Sequence, residues 1–322
     1  MPESLGSWGD AIRGQGVEFV EFFSQTPLSQ ISGWDPVVKT MKSNDATSSF
    51  SGKTGAGFLQ RFSDGSVIPS LNRYKLFDTS VAQEPVGGRI AVSRQTLLYR
   101  NHESSFNENN DLINAVKVYL SRAGAAIFNR AFTSGSGVTN GTRVVTYGDG
   151  VPLVSTVHPR ADGGATQSNA SATGIPLTEA NFEIGRIALE NQLLDDGVPV
   201  TGMGKLYLVV GTSNEKTATI IADSDKRSGT GNNDLNFYEG KVNVLVSKYL
   251  EVAGGTNATQ WFIIAPSVAK LATVISAGPD VEFVRDKDTK SGLFDVILDL
   301  GVCSYDYRGV WGSLGGNAAY SS

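Results

Sequence analysis

The stretch PLVSTVHPRADGGATQSN, residues 152–169, gathers the residue types of nucleophilic catalysis: Ser155, His158 and Asp162. A serine hydrolase needs a hydroxyl, an imidazole base within hydrogen-bond reach and a carboxylate that orients the base. The chain has two histidines, so only His102 and His158 can act as that base. His102, in YRNHESS, lies in a polar approach to a helix with no apolar shielding in the sequence around it. Pro159 follows His158 and biases it to extended backbone, and no G-x-S-x-G elbow surrounds Ser155. A serine and a histidine three residues apart in a loop often arise by chance. The expectation is a connection feeding the next helix, not a catalytic centre.

Two other motifs fare no better. SGKTG at 51–55 resembles the end of a phosphate-binding loop, but Thr47 stands where the first glycine belongs and no buried strand leads in. DSDKRSGTGNND, from Asp223, spaces carboxylates like a calcium loop. Arg227, however, takes the third ligand position and Ser228 replaces the turn glycine. Cys303 is the only cysteine, which excludes an intrachain disulfide and a cysteine zinc site; its alternating apolar setting reads as a small buried hydrophobe. The sequence therefore predicts a non-enzyme with no catalytic residue, no cofactor and no metal.

The elements around these motifs describe an elongated body. At 322 residues and 40% apolar content, the chain can bury a large core across about two domains. The net charge of -5 argues against a basic nucleic-acid-binding surface. Glycine, at 37 residues, fits many turns and strand–loop excursions. No run is long and apolar enough for a membrane span, and the start, MPESLGSWGDAIRG, has no signal-peptide pattern. A soluble, intracellular product is expected.

Residues 1–45 read as an arm. Residues 57–98 read as a reaching two-stranded excursion turning at Asp64–Gly65 and broken by Pro85 and Gly87–Gly88. The clearest helix spans 108–133, capped by Asn110 or Asp111, with Leu112, Val116, Tyr119, Leu120, Ala123, Ile127 and Ala131 on one stripe. A second helix runs from Thr178 to about Leu194 before Gly197. Strands KLYLVVG, VNVLVS and QWFIIAP alternate with helical SNEKTATIIADS and SVAKLATVI, an α/β lobe with its own core. VEFVRD and the long alternating strand LFDVILDLGVCSYDYRG close the chain, with Phe294, Val296, Leu298, Leu300 and Val302 on one face.

In this order, PLVSTVHPRADGGATQSN, LTEANFEIGRIALENQLLDDGVPV and KLYLVVG resemble the tailed-phage major capsid proteins of the Mu-like major head subunit family. FDTSVAQEPVGGRIAVSRQTLLYRN, VNVLVSKYL, QWFIIAP and YDYRGVWGS extend the resemblance over residues 70–312. VVG departs from the family by lacking the proline that often follows its strand, which implies a different turn at Gly211.

The resemblance implies an α+β, Hong Kong 97-type capsid fold. Its parts would be an N-terminal arm (1–45), an E-loop region (46–98), a P-domain with spine helix (99–200), an A-domain (201–280) and a return strand with the C-terminus (281–322). It implies a major head protein that self-assembles into pentamers and hexamers around double-stranded DNA, which it would touch weakly and without sequence preference. Scaffold, portal and decoration proteins are the implied partners, with the scaffold a separate protein, and the implied place is the virion, after assembly in the host cytoplasm. The crosslinking residues of some relatives have no match here. The alternatives are an encapsulin-like shell, a tail-tube or decoration subunit, and a hydrolase around Ser155 and His158. For subunit interfaces, aromatic anchors predict Phe19, Phe22, Phe23 and Trp34 in the arm, and Phe58, Phe62, Tyr74 and Phe77 in the excursion. The loop 224–235 is a further expected contact.

Overall fold

A computed structural model describes residues 26, 28–53, 58–71, 73–93, 102–225, 235–252, 259–289 and 291–316. In chain order its elements are α1 (Leu28–Ser32), β1 (Lys39–Lys42), β2 (Thr47–Phe50), β3 (Thr79–Ala82), β4 (Glu84–Val92), α2 (His102–Asn129), β5 (Gly137–Thr139), β6 (Thr142–Val145) and α3 (Glu179–Glu190). There follow β7 (Leu206–Val210), α4 (Glu215–Asp223), β8 (Val242–Val246), α5 (Tyr249–Val252), β9 (Trp261–Ile264), β10 (Leu271–Arg285), β11 (Gly292–Ser304) and β12 (Val310–Ser313).

Helix α2 is the spine. Its stripe of Leu112, Val116, Leu120, Ala123 and Ile127 is buried in one core with Phe294, Val296, Leu298, Leu300 and Val302 of β11. The helix begins at His102, earlier than the expected caps Asn110 and Asp111, and ends at Asn129. Asparagine and aspartate favour caps without preventing helix, so the backbone ladder continues through them.

The sheet under the spine runs β1-β10-β11-β6-β5, with β4 pairing along β11. SVAKLATVI, expected as a helix, turns at 266–268 and then becomes the start of β10. Its β-branched residues take the sheet pairings that β11 and β1 offer, Thr273 opposite Val302 among them. VEFVRD belongs to the same strand, which passes Pro279 through a register shift beyond the reach of β1. β4 likewise runs unbroken through Pro85 and Gly87–Gly88. It is an edge strand, where proline forfeits no ladder bond, and a Cβ at Gly87 would lie 2.7 Å from the Val296 carbonyl oxygen.

The second sheet, β12-β9-β7-β8, shows why QWFII and LYLVV are apolar throughout. Alternate residues point to opposite faces. Phe262, Ile264 and Val209 join the spine core, whereas Trp261, Ile263, Leu208 and Val210 join a second core with Phe182, Leu189 and Trp311. Thr178 caps α3 as expected, its Oγ1 accepting from Asn181 N at 3.2 Å. The second core draws on residues 175–189 and on β12 as well as on the lobe expected at 201–280.

Among the described residues the excursion is two-stranded at its base, where β2 pairs β3 and Lys53 bridges Lys75. Residues 58–71 carry no ladder, only a turn at Asp64–Gly65.

Candidate functional site

The loop 152–169 folds back on itself. His158 and Gln167 exchange both backbone hydrogen bonds, at 2.8 and 2.9 Å. The His158 ring is fully buried. Its Nδ1 lies 2.7 Å from Asp149 Oδ2 and its Nε2 lies 3.2 Å from Asn169 Oδ1. The ring stacks on Tyr307 at 3.8 Å between centroids and 5° between planes. Both ring nitrogens are therefore occupied. Ser155 Oγ instead accepts from Val157 N, and Asp162 pairs with Arg160. The three residues that suggested a triad do not converge, and the expected structural connection is what the chain builds.

Beside this ring lies a buried charged group that sequence reasoning missed. Arg308, 2% exposed, places Nη1 3.1 Å from Asp306 Oδ1 and Nη2 2.8 Å from Asp195 Oδ2. Its Nε donates to Leu193 O at 2.8 Å, and Asp195 Oδ1 accepts from Ala161 N at 2.8 Å. Gln192 completes the set, accepting from Gly309 N at 2.8 Å and donating to Val310 O at 3.2 Å. Three segments distant in sequence are thus fastened together. Burial raises the Tyr147 and Tyr307 phenols well above their ordinary value, so both remain neutral.

Among the described residues the remaining motifs form no site. Gly52 O accepts from Leu76 N at 3.0 Å, which places SGK on the ladder of the excursion rather than before a helix; residues 54–57 lie outside the described residues, as do 226–234 of the acidic loop. Among the described residues no group of His, Cys, Asp and Glu could hold a metal ion. Cys303 is buried, and burial pushes its thiol up to about 12.

The expected interface aromatics divide. Phe58 is 64% exposed and Phe62 51% exposed, and Tyr74 is also exposed. Between and beyond them Leu59 and Val67 are 90% and 92% exposed, with Ile68 alongside. Trp34 is a correction. It is 3% exposed, stacked on Phe128 at 5.0 Å, with Nε1 donating to Ser121 O at 2.8 Å, so it serves its own core. Phe77 is half-buried and packs edge-on against Tyr147 at 5.8 Å. Phe19, Phe22 and Phe23 lie outside the described residues. Leu235, the last residue of the loop 224–235 expected as a contact, is exposed, and so is Phe237, which was missed; its only sequence signal is an apolar residue in a polar loop.

Residues 77–313 match the family model described as phage capsid protein. The chain belongs to the phage capsid protein family. Among solved structures, this capsid protein is similar to a chain of Mycobacterium phage Patience, with TM-score 0.54 and 14% identity over 98% of this chain and 89% of that one. It is similar to the capsid of an empty GTA particle, with TM-score 0.53 and 9% identity over 88% and 89% of the two chains. The bacteriophage JBD30 capsid gives TM-score 0.53 and 14% identity, over 67% of this chain and 90% of that one. No curated protein sequence matches it. At these identities the likeness is one of fold, a mixed helix-and-strand fold shared with phage capsids. Family and fold are those of a structural component of the virion rather than of an enzyme.

Proposed function

We propose that this capsid protein is the major shell subunit of a tailed-phage head, of the Hong Kong 97 type and the Mu-like major head subunit pattern. It would close into pentamers and hexamers around double-stranded DNA. The observation that carries the reading is the stretch Phe58–Ile68, whose apolar side chains are exposed on an excursion without a core of its own. A monomeric protein rarely shows such a patch, whereas a neighbouring subunit can cover it. The assembled capsids among the structural neighbours support self-association.

In this reading the arm is 1–45, the E-loop 46–98, the P-domain 99–200 with the return strand 281–322, and the A-domain 201–280. Phe58, Phe62 and Tyr74 contact a neighbour, and Leu235 and Phe237 extend the contact near the A-domain loop. Scaffold and portal proteins assist assembly in the host cytoplasm. The net charge of -5 favours weak, non-specific contact with the packaged DNA.

The test is the mass of the purified chain across concentration and salt by light scattering, with negative-stain images, alone and co-expressed with a scaffold protein. Pentamers, hexamers or shells are expected. A monomer in both settings would overturn the reading.

A further inference from the structure

Leu235, Phe237 and Glu239 are exposed, while the residues between them are fastened down. Asn236 Nδ2 donates to Ile221 O at 2.8 Å and to Ser224 O at 2.9 Å, at the end of α4. The Tyr238 side chain is buried edge-on against Phe182 at 5.0 Å between centroids, and its hydroxyl donates to Glu183. Lys241 Nζ lies 3.4 Å from the centroid of the Phe237 phenyl group and covers one face of it. The inward residues thus hold the outward ones in place. Such a knob is set before a partner arrives and loses little entropy on contact.

A cavity of about 400 Å³ opens at the other end of the same strand edge. β8 is the outermost strand of its sheet. The knob adjoins the start of β8, where Phe237 and Val242 line one hollow. The cavity lies past the end of β8, among Trp34, Leu245, Val246 and Tyr249, and Val246 is exposed there. Four residue steps, about 13 Å of strand, separate Val242 from Val246, so the knob and the cavity of one subunit do not meet. The two ends also differ in charge. Glu239, exposed on the knob, has no ion-pair partner among the described residues. Lys248 lines the cavity, its Nζ 5.2 Å from the centroid of Tyr249.

We propose that the knob Leu235–Glu239 of one subunit seats in the Trp34–Tyr249 cavity of the next copy, with Glu239 meeting Lys248. The inference rests on the ring-forming reading above and names the surface that receives this contact. Joining unlike ends of the same edge is a heterologous contact, which closes into a ring where the rotation permits. The apolar side chains carry the contact by leaving water, and the ion pair sets its register.

The test uses the full chain co-expressed with a scaffold protein and carrying Glu239→Cys with Lys248→Cys. Both positions are exposed, and the native Cys303 is buried. Mild oxidation of the particles is expected to give a ladder on non-reducing gels that climbs past the dimer to pentamer and hexamer, while either cysteine alone leaves monomer. Adding Leu235→Ser and Phe237→Ser, exposed positions whose loss should leave the circular dichroism of the parent, is expected to remove the ladder. A ladder that stops at the dimer shows a two-fold pairing, and a disulfide from Glu239→Cys alone shows knob against knob. Either result overturns the inference, as do shells without a 239–248 bond and a ladder that survives the loss of both apolar side chains. All four leave the shell reading standing. A parent chain that forms neither rings nor shells overturns that reading first, and this inference with it.

Discussion

Trp34 closes onto the spine at Gly124 so tightly that a Cβ on residue 124 would lie 2.2 Å from Trp34 Cδ1. The indole stacks on Phe128 and donates to Ser121 O, so one helical glycine seats the start of the described chain on the middle of the spine.

Gly124→Ala therefore sets two effects against each other. Alanine is the better helix former by about 1 kcal/mol, but displacing a packed indole costs about 1–3 kcal/mol. The contact distance decides for the second. A net loss of stability is expected in urea unfolding, accompanied by a red shift of tryptophan emission as Trp34 meets water.

Replacing Leu59 by Asp and Phe62 by Ser should leave the fold intact, because both side chains are exposed in the subunit. Surface changes usually alter stability by less than about 0.5 kcal/mol. Assembly is expected to fail while the thermal midpoint of the subunit stays constant. Light scattering and circular dichroism on the same samples check this, and shells from the double variant would remove the excursion from the interface.

Arg308→Ala strips the only paired cation from buried Asp195 and leaves Asp306 with Lys270 alone, at 3.2 Å. Breaking such a buried pair costs about 3–5 kcal/mol. Arg308→Lys should not restore it, since an ammonium cannot reach Leu193 O and both carboxylates in one plane. Denaturant midpoints of the two variants against the parent test this.

On the outer strand, Arg89 binds Asp295 through two nitrogens at 2.5 and 2.6 Å. This hydrogen-bonded pairing holds the Asp295 carboxyl below its ordinary value of 3.8. On acidification the unfolded chain then takes up this proton before the folded chain does. The clamp contributes stability above the ordinary aspartate value and loses it as pH falls through the lower folded value. Asp295→Asn should flatten that part of the acid limb, below about pH 4, and the difference should shrink in high salt because Arg89 is exposed. Urea midpoints across pH and salt give the readout.

Much of the architecture was legible in one dimension. The stripe on α2, the alternation along β11, the Thr178 cap and the apolar runs of β7 and β9 are local patterns, and each encodes the face that burial demands. The resemblance of short pieces in order pointed to the capsid family that residues 77–313 match. SVAKLATVI misled because nine apolar-rich residues satisfy either period, and only the pairing offered by β11 resolves them. Pro85 looked like a break because its harmlessness depends on which strand edge it occupies.

The sequence by itself determined most of the elements, the lack of a G-x-S-x-G elbow around Ser155 and the presence of aromatic residues in the excursion. Only the tertiary structure decided which aromatics face outward and which serve the subunit: Trp34 turned inward because Gly124 leaves room for an indole that no local pattern announces. It also decided the role of His158. Its partners Asp149 and Asn169 are near in sequence, but the burial that gives their hydrogen bonds weight comes from Tyr307, about 150 residues away. Local periodicity records the demand for burial; the partner that meets it is a property of the folded chain.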